Sequence, residues 1–263
     1  MAKKIKIGAV ISGGGTNLQA IIDSCRSGEI NGEIVFVGTD NPDAKGLQRA
    51  EEDRIPTFVT NYSGIIKKYN NDPEIIAAPD DFIYEDILTK QSFSPEGYNP
   101  EKIKKFLVTR AVAEDDLLKQ MAPYQFDLIV LAGFMRNLTP YFIDRVNTDP
   151  LNPRIMNIHP ALLPSFPGVD GYGDTFRYGC KTGGCTVHFI DYGEDSGPII
   201  GQKSFQIEPE DTIDTIKKKG LELEWQLYPE CVRLFAEGRL KTEKKTFTLD
   251  NGKTFERVFV TVV

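Results

Sequence analysis

Apolar residues in this chain fall into short β-rich runs that alternate with stretches of helical period. Residues 5–11 (Ile-Lys-Ile-Gly-Ala-Val-Ile) read as a strand that ends in Ser12-Gly13-Gly14-Gly15-Thr16-Asn17. Leu18, Ile21, Ile22 and Cys25 then recur at helical spacing, on one face. A second strand is expected over residues 33–38, a helix over 44–53 and a third strand over 55–59. Strands alternating with helices predict βαβ units and a parallel sheet. Residues 126–132 form a near-continuous apolar run, as expected of a strand covered on both faces, and residues 154–158 form another. From Thr212 the pattern is helical as far as Glu237-Gly238, where glycine suits a C-cap. In the tail, Phe247 and Leu249, then Phe255, Val258 and Val260, flank Asp250-Asn251-Gly252. The Asn-Gly pair predicts a β-hairpin.

Residues 62–100 break this rhythm. Asn70-Asn71-Asp72-Pro73, Pro79-Asp80-Asp81 and Ser94-Pro95-Glu96-Gly97 are all turn chemistry, and the segment reads as a long loop inserted in the domain. The expected architecture is one α/β domain with a mostly parallel central sheet flanked by helices.

Charge and composition exclude more than they assign. A net charge of −7 argues against a broad nucleic-acid footprint, and basic runs such as residues 217–219 read as solvated faces. The longest apolar run, residues 128–134, is too short to cross a bilayer, and the N-terminus lacks a signal-peptide pattern. Cys25, Cys180, Cys185 and Cys231 lack zinc-site spacing; Cys180 and Cys185 bracket what reads as a glycine-rich loop. The expectation is a cytoplasmic protein with reduced thiols.

Three segments could carry chemistry. The glycine loop between strand and helix offers backbone N–H groups at a helix N-terminus, a ready anion site, with Thr16 and Asn17 as added donors. No Gly-Lys-Ser/Thr follows, and Leu18 stands where a dinucleotide fingerprint needs its third glycine, although Asp40 could mimic a ribose-binding acid. A tight turn with no ligand is the alternative. The second segment is Asn157-Ile158-His159-Pro160. Residues i and i+2 of a strand share one side, so an amide and an imidazole would converge at a strand's C-terminal end, where open α/β sheets bind ligands. Such a pair suits a developing oxyanion; a capping Asn beside a surface His is the plainer reading. The third is the acidic turn Asp191, Glu194, Asp195, a solvated turn or a carboxylate partner for His159. His188, the only other histidine, sits among Val187, Phe189 and Ile190 and reads as structural.

Taken in order, Ile11-Ser-Gly-Gly-Gly-Thr-Asn-Leu-Gln-Ala-Ile-Ile22, Leu131-Ala-Gly-Phe-Met-Arg136, Asn157-Ile-His-Pro-Ala-Leu-Leu-Pro164 and Asp195-Ser-Gly-Pro198 resemble the folate-dependent formyltransferases. Within them, the glycine loop points to the branch acting on glycinamide ribonucleotide. The resemblance covers most of residues 5–60 and 105–240. It implies a Rossmann-like formyltransferase fold with a phosphate-binding half (about 1–125), a catalytic and folate-binding half (about 126–240) and a hairpin tail (241–263).

The same resemblance implies that Asn157, His159 and Asp195 are catalytic, with Asp195 raising the His159 pKa. Gly14, Gly15, Thr16, Asn17 and Glu224 would hold the ribonucleotide. Arg110, Met135, Arg136, Asn137, Leu138, Asp191, Tyr192, Gly193 and Glu194 would contact the co-substrate 10-formyltetrahydrofolate. No metal is expected, the partners are small molecules, and the assembly would be a monomer or homodimer. Two stretches depart from the family pattern: the insertion at 62–100, and residues 169–176, unusually rich in glycine and acid where relatives carry a mobile loop. A formyltransferase with another amine acceptor would keep the Asn-His-Asp chemistry, whereas a formyltetrahydrofolate hydrolase, with water as acceptor, would not need Thr16 and Asn17 as a phosphate clamp. A nicotinamide-binding reductase or an anion-binding domain would use the glycine loop alone.

Overall fold

A computed structural model of the chain describes residues 3–92 and 99–263. The predicted βαβ rhythm is present: β1 (Ile5–Ile11), α1 (Thr16–Ser27), β2 (Gly32–Thr39), α2 (Gly46–Glu52) and β3 (Thr57–Val59) follow in order. Then come α3 (Tyr62–Asn71), a short 3₁₀ turn (Pro73–Ile75), α4 (Tyr84–Lys90), α5 (Pro100–Met121), β4 (Leu128–Leu131), α6 (Pro140–Val146) and β5 (Ile155–His159). The chain ends with α7 (Gly171–Arg177), β6 (Thr182–Phe189), β7 (Ile199–Gln206), α8 (Ile213–Ala236) and the hairpin β8 (Leu240–Thr248) and β9 (Thr254–Val262).

Seven strands form one sheet in the order β3-β2-β1-β4-β5-β6-β7. The first five pair in parallel, whereas β6 runs antiparallel to both β5 and β7. Alternate residues serve opposite faces, as the strand period requires. Ile7, Ala9 and Ile11 pack with Leu18, Ile21, Leu227, Tyr228 and Val232 of α1 and α8. Val10, Phe36 and Ile129 pack with Leu117 and Met121 of α5 and Phe142 of α6 on the other side. The Tyr228 hydroxyl crosses the core to meet the carbonyls of Leu131 (3.2 Å), the last residue of β4, and Met156 (2.8 Å), the second residue of β5.

The expected long loop is instead largely helical. Its turn residues are helix punctuation: Asn61 caps α3 by accepting from Gly64 N–H, and Asp72 accepts from Glu74 N–H where the 3₁₀ turn begins. Asn99 with Pro100 starts α5 in the same way. The apolar positions between the turns, Phe82, Ile87 and Leu88, bury against Leu107, Ala111 and Tyr141 of α5 and α6. The Ser94-Pro95-Glu96-Gly97 turn lies outside the described residues. Residues 171–177 are helical rather than looped, and Gly183, Gly184 and Cys185 belong to β6, not to a glycine-rich loop. All four cysteines are free thiols. No helix among the described residues is long and apolar enough to cross a membrane. The predicted Asn-Gly hairpin forms, with Phe247 and Phe255 stacked at 5.3 Å across it.

Candidate active site

A cavity of about 450 Å³ opens where the parallel strands end, lined by the residues after β1, β4 and β5. This is where the change of winding direction beside β1 leaves a crevice in an open sheet. Gly13, Gly14, Gly15, Thr16 and Asn17 line one end. Gly15 is the N-cap of α1, in the left-handed region at φ 68°, and no side chain caps the helix. The first-turn N–H groups of α1 thus face the cavity end without a side-chain partner, which is the anion-site arrangement. A Cβ on Gly15 would stand 2.6 Å from Gly46 Cα, so both the backbone shape and the close approach of α2 require glycine. Arg49 of α2 braces the loop by donating to the Gly14 carbonyl at 2.9 Å.

Asn17 turns inward. Its Nδ2 donates to Glu224 Oε2 at 2.6 Å, and the Tyr172 hydroxyl donates to Glu224 Oε1 at 2.6 Å. The side-chain amide of Asn17 therefore serves Glu224, and the loop offers an anion its backbone N–H groups. Asn17 Oδ1 stays buried without a partner. Burial raises the Glu224 pKa above its ordinary value, with Asn17 and Tyr172 opposing. Tyr172 fits because α8 carries glycine at 220, where a Cβ would lie 2.1 Å from Tyr172 Cζ.

Asn157, His159 and Asp195 meet at the centre of the cavity wall. In the β5–β6 register Asn157 faces His188 and His159 faces Thr186. His159 is buried, with Nδ1 3.2 Å from Asp195 Oδ2 and Nε2 2.8 Å from the Phe166 carbonyl. Only a doubly protonated ring satisfies both acceptors, but burial outweighs them. The net effect holds the His159 pKa below the ordinary imidazole value, with Asp195 and Phe166 pulling upward. The expected upward push from Asp195 is present and is not the larger influence. For Asp195, burial disfavours the charge, but His188, His159 and the Gly168 N–H together lower its pKa. That N–H donates to Asp195 Oδ2 at 2.8 Å.

His188 does more than fill the core. Its Nδ1–H donates to the Phe189 carbonyl (3.0 Å), and its Nε2 lies 3.1 Å from Asn157 Nδ2 and 3.6 Å from Asp195 Oδ1; the neutral ring accepts from Asn157 there, whereas the imidazolium would face Asp195. This fixes the Asn157 amide and leaves its second N–H directed elsewhere. No local signal in the sequence shows this: the antiparallel pairing of β5 with β6 brings the two histidines to one site.

The remaining expected residues divide. Met135, Arg136, Asn137, Leu138, Asp191, Gly193 and Glu194 line the far end of the cavity, and Asn137 Nδ2 donates to Glu194 Oε1 at 3.2 Å. Tyr192 and Arg110 do not line it. Tyr192 points away, its hydroxyl donating to Asp144. Arg110 is half-buried against the rings of Tyr62 and Phe106 at 5.2 Å each, its Nε and one terminal nitrogen buried without partners among the described residues. Asp40 is no ribose acid here: it is buried against Arg136 Nε at 2.5 Å and lies off the cavity. Lys217, Tyr172 and Gln91 line the cavity without having been singled out. Lys217 opens the basic run 217–219, which resembles a solvated face because helix phase relative to a distant strand end is not visible locally. Among the described residues, no three His, Cys, Asp or Glu side chains cluster as a metal site.

Behind the Met135–Leu138 stretch, Glu114 of α5 caps α6, accepting from Thr139 N–H at 2.7 Å and from its hydroxyl. Burial pushes the Glu114 carboxyl up to about 8, against the hydrogen bonds from Thr139. The folded chain holds this proton up to that pH, whereas the unfolded chain releases it near about 4.3. Stability from this group is therefore full below the unfolded value and is lost as pH rises through about 8. Expected outcome: relative to Glu114→Gln, the wild-type melting temperature falls steadily between about pH 5 and 8. Parallel melts across that range check it; a constant difference would refute it.

Comparison with known proteins gives a consistent result. The sequence profile described as formyl transferase matches residues 5–232. The phosphoribosylglycinamide formyltransferase of Haemophilus influenzae is 36% identical over 252 residues, 96% of each chain. That of Bacillus subtilis is 31% identical, covering 87% of this chain and 93% of its own length. The crystal structure of glycinamide ribonucleotide transformylase 1 from Symbiobacterium toebii superposes with a TM-score of 0.68 at 32% identity, covering 99% of this chain and 94% of that one.

Proposed function

The chain belongs to the formyl transferase family, and from that premise we propose that it transfers the formyl group of 10-formyltetrahydrofolate to the amine of glycinamide ribonucleotide. One observation carries the reading. A single cavity joins an anion-binding helix terminus to an amide, imidazole and carboxylate cluster. Phosphate fits against the N–H groups of Gly15, Thr16 and Asn17. Glu224, with Asn17 beside it, offers acceptor oxygens to the ribose hydroxyls. The folate lies toward Met135, Arg136, Asn137, Leu138 and the acidic turn.

In the reaction the amine nitrogen attacks the formyl carbon, a C–N bond forms, and the carbonyl oxygen becomes an oxyanion. The second N–H of Asn157 donates to that oxygen. His159 assists once a ring N–H is turned from Phe166 to the oxyanion. A new negative charge beside the ring favours the imidazolium, so the proton affinity that burial lowers rises as the reaction proceeds. Collapse breaks the bond to folate N10, which takes a proton while the amine loses one; the His159–Asp195 pair relays it.

Acceptor dependence is the test. Release of the folate product is followed by absorbance with and without glycinamide ribonucleotide. Turnover that needs the ribonucleotide is expected; equal turnover without it would replace transfer by hydrolysis. A second expectation concerns Lys217, which lines the cavity with an Asp170 oxygen at 3.9 Å. Lys217→Ala is expected to raise KM for the ribonucleotide about tenfold by removing a cation near the phosphate, with KM for the folate unchanged. An unchanged ribonucleotide KM would place the phosphate away from this lysine.

A further inference from the structure

Gln91 closes α4, its backbone N–H donating to the Ile87 carbonyl at 2.9 Å. Ile87 is buried with Leu107, Ala111 and Tyr141, so the helix end is anchored in the core. From there the chain grips the acidic turn. Gln91 Nε2 (3.3 Å) and Ser92 N–H (3.2 Å) both donate to the Tyr192 carbonyl, and Lys90 pairs with Asp144 at 2.8 Å, which also accepts from the Tyr192 hydroxyl. The carbonyl of Tyr192 can only accept, so the amide of Gln91 has one workable orientation. Its nitrogen faces Tyr192, and its oxygen faces the other way. Among the described residues that Oε1 is buried with no partner, and Gln91 is one of the residues that line the cavity.

This part of the cavity is rich in acceptors: Gln91, held to the acidic turn through Tyr192, shares the lining with Asp191 and Glu194. A ligand part carrying carboxylates would be repelled there. A part presenting N–H groups would be held, and would supply the missing partner of Oε1. Of the two ends of a folate, only the 2-amino-4-oxo pyrimidine ring presents several N–H donors along one edge; the glutamate end presents carboxylates.

We propose that Gln91 is a donor-substrate specificity residue, its Oε1 accepting an N–H from the pterin edge of the folate while its Nε2 holds the acidic turn through Tyr192. The proposal rests on the folate-binding reading given above. It assigns a ligand contact to the segment between β3 and α5.

Two variants separate the acceptor from the donor. Gln91→Met keeps the length of the side chain and removes both; Gln91→Glu keeps an acceptor oxygen and removes the amide donor. The affinity of 5,8-dideazafolate, which retains the 2-amino-4-oxo edge, is measured by calorimetry on the full chain. Gln91→Met is expected to weaken binding about tenfold, and Gln91→Glu, which keeps the acceptor but loses the hold on Tyr192, to weaken it less, by about threefold. In formyl transfer, Gln91→Met raises KM for the folate and leaves kcat and the ribonucleotide KM within about twofold. If Gln91→Glu binds the analogue no better than Gln91→Met, the acceptor role is overturned, whether both match wild type or both are weakened. Wild-type turnover in the same assay tests the reading beneath it. Acceptor-independent turnover with the affinity pattern intact would remove the transferase reading and leave Gln91 as a pterin ligand.

Discussion

Asn157→Ala is expected to lower kcat by about two to three orders of magnitude, with little change in KM for either substrate. The expectation follows from the position of the amide. One N–H is held by His188 Nε2 at 3.1 Å, so the other has a fixed direction before substrate arrives. A donor organised in advance contributes where charge develops, and little in the ground state, which is why kcat falls and KM does not. Asn157 is only partly buried, so truncation to alanine leaves the sheet register intact and the protein folded. Circular dichroism confirms the fold, and steady-state kinetics with both substrates give the split. Turnover within tenfold of wild type in a folded variant would remove Asn157 from the chemistry.

His159→Ala is expected to cost about two to four orders of magnitude in kcat. Both ring nitrogens are engaged in the resting protein, by Asp195 and by the Phe166 carbonyl. Phe166 sits in the left-handed region at φ 54°, a conformation uncommon for a bulky residue. A pH profile adds a signature that lost packing alone would not produce. Activity that uses the imidazolium declines as pH rises through the ring pKa. In the free protein burial depresses that pKa, so kcat/KM is expected to fall at a lower pH than kcat, which reports the complex. Coincident limbs would contradict a role for the substrate's developing charge in protonating the ring.

Much of the fold was readable from period and punctuation, because β1, β2, β4 and β5 are buried runs bounded by glycine, proline or asparagine. The Asn157 and His159 convergence followed from strand geometry alone. What was hidden depended on partners remote in sequence. Residues 62–92 carry Asn and Asp that serve as caps, and caps look like turns until the apolar faces between them find α5 and α6. His188 reads as core from its neighbours, and only the antiparallel pairing of β5 with β6 sets it against Asn157. The depression of the His159 pKa was hidden for the same reason: a charge partner can be named from sequence, whereas the depth of burial opposing it cannot. Arg110 and Tyr192 matched by position along the chain and stand off the cavity, since position does not fix which way a helix or turn points.

One helix links the two ends of the site. Glu224 and, one turn on, Tyr228 both project from α8, the first toward Asn17 and the glycine loop, the second onto the backbones of β4 and β5. The acid that serves one ligand and the tether that spaces the strands serving the other are parts of a single rod. A small rotation of that rod, caused by a packing change at Leu227 or Val232 far from either ligand, would misalign acceptor and donor together. Inheritance in such a molecule is correlated. Specificity at one end cannot drift through changes in α8 without being tried, at the same moment, at the other.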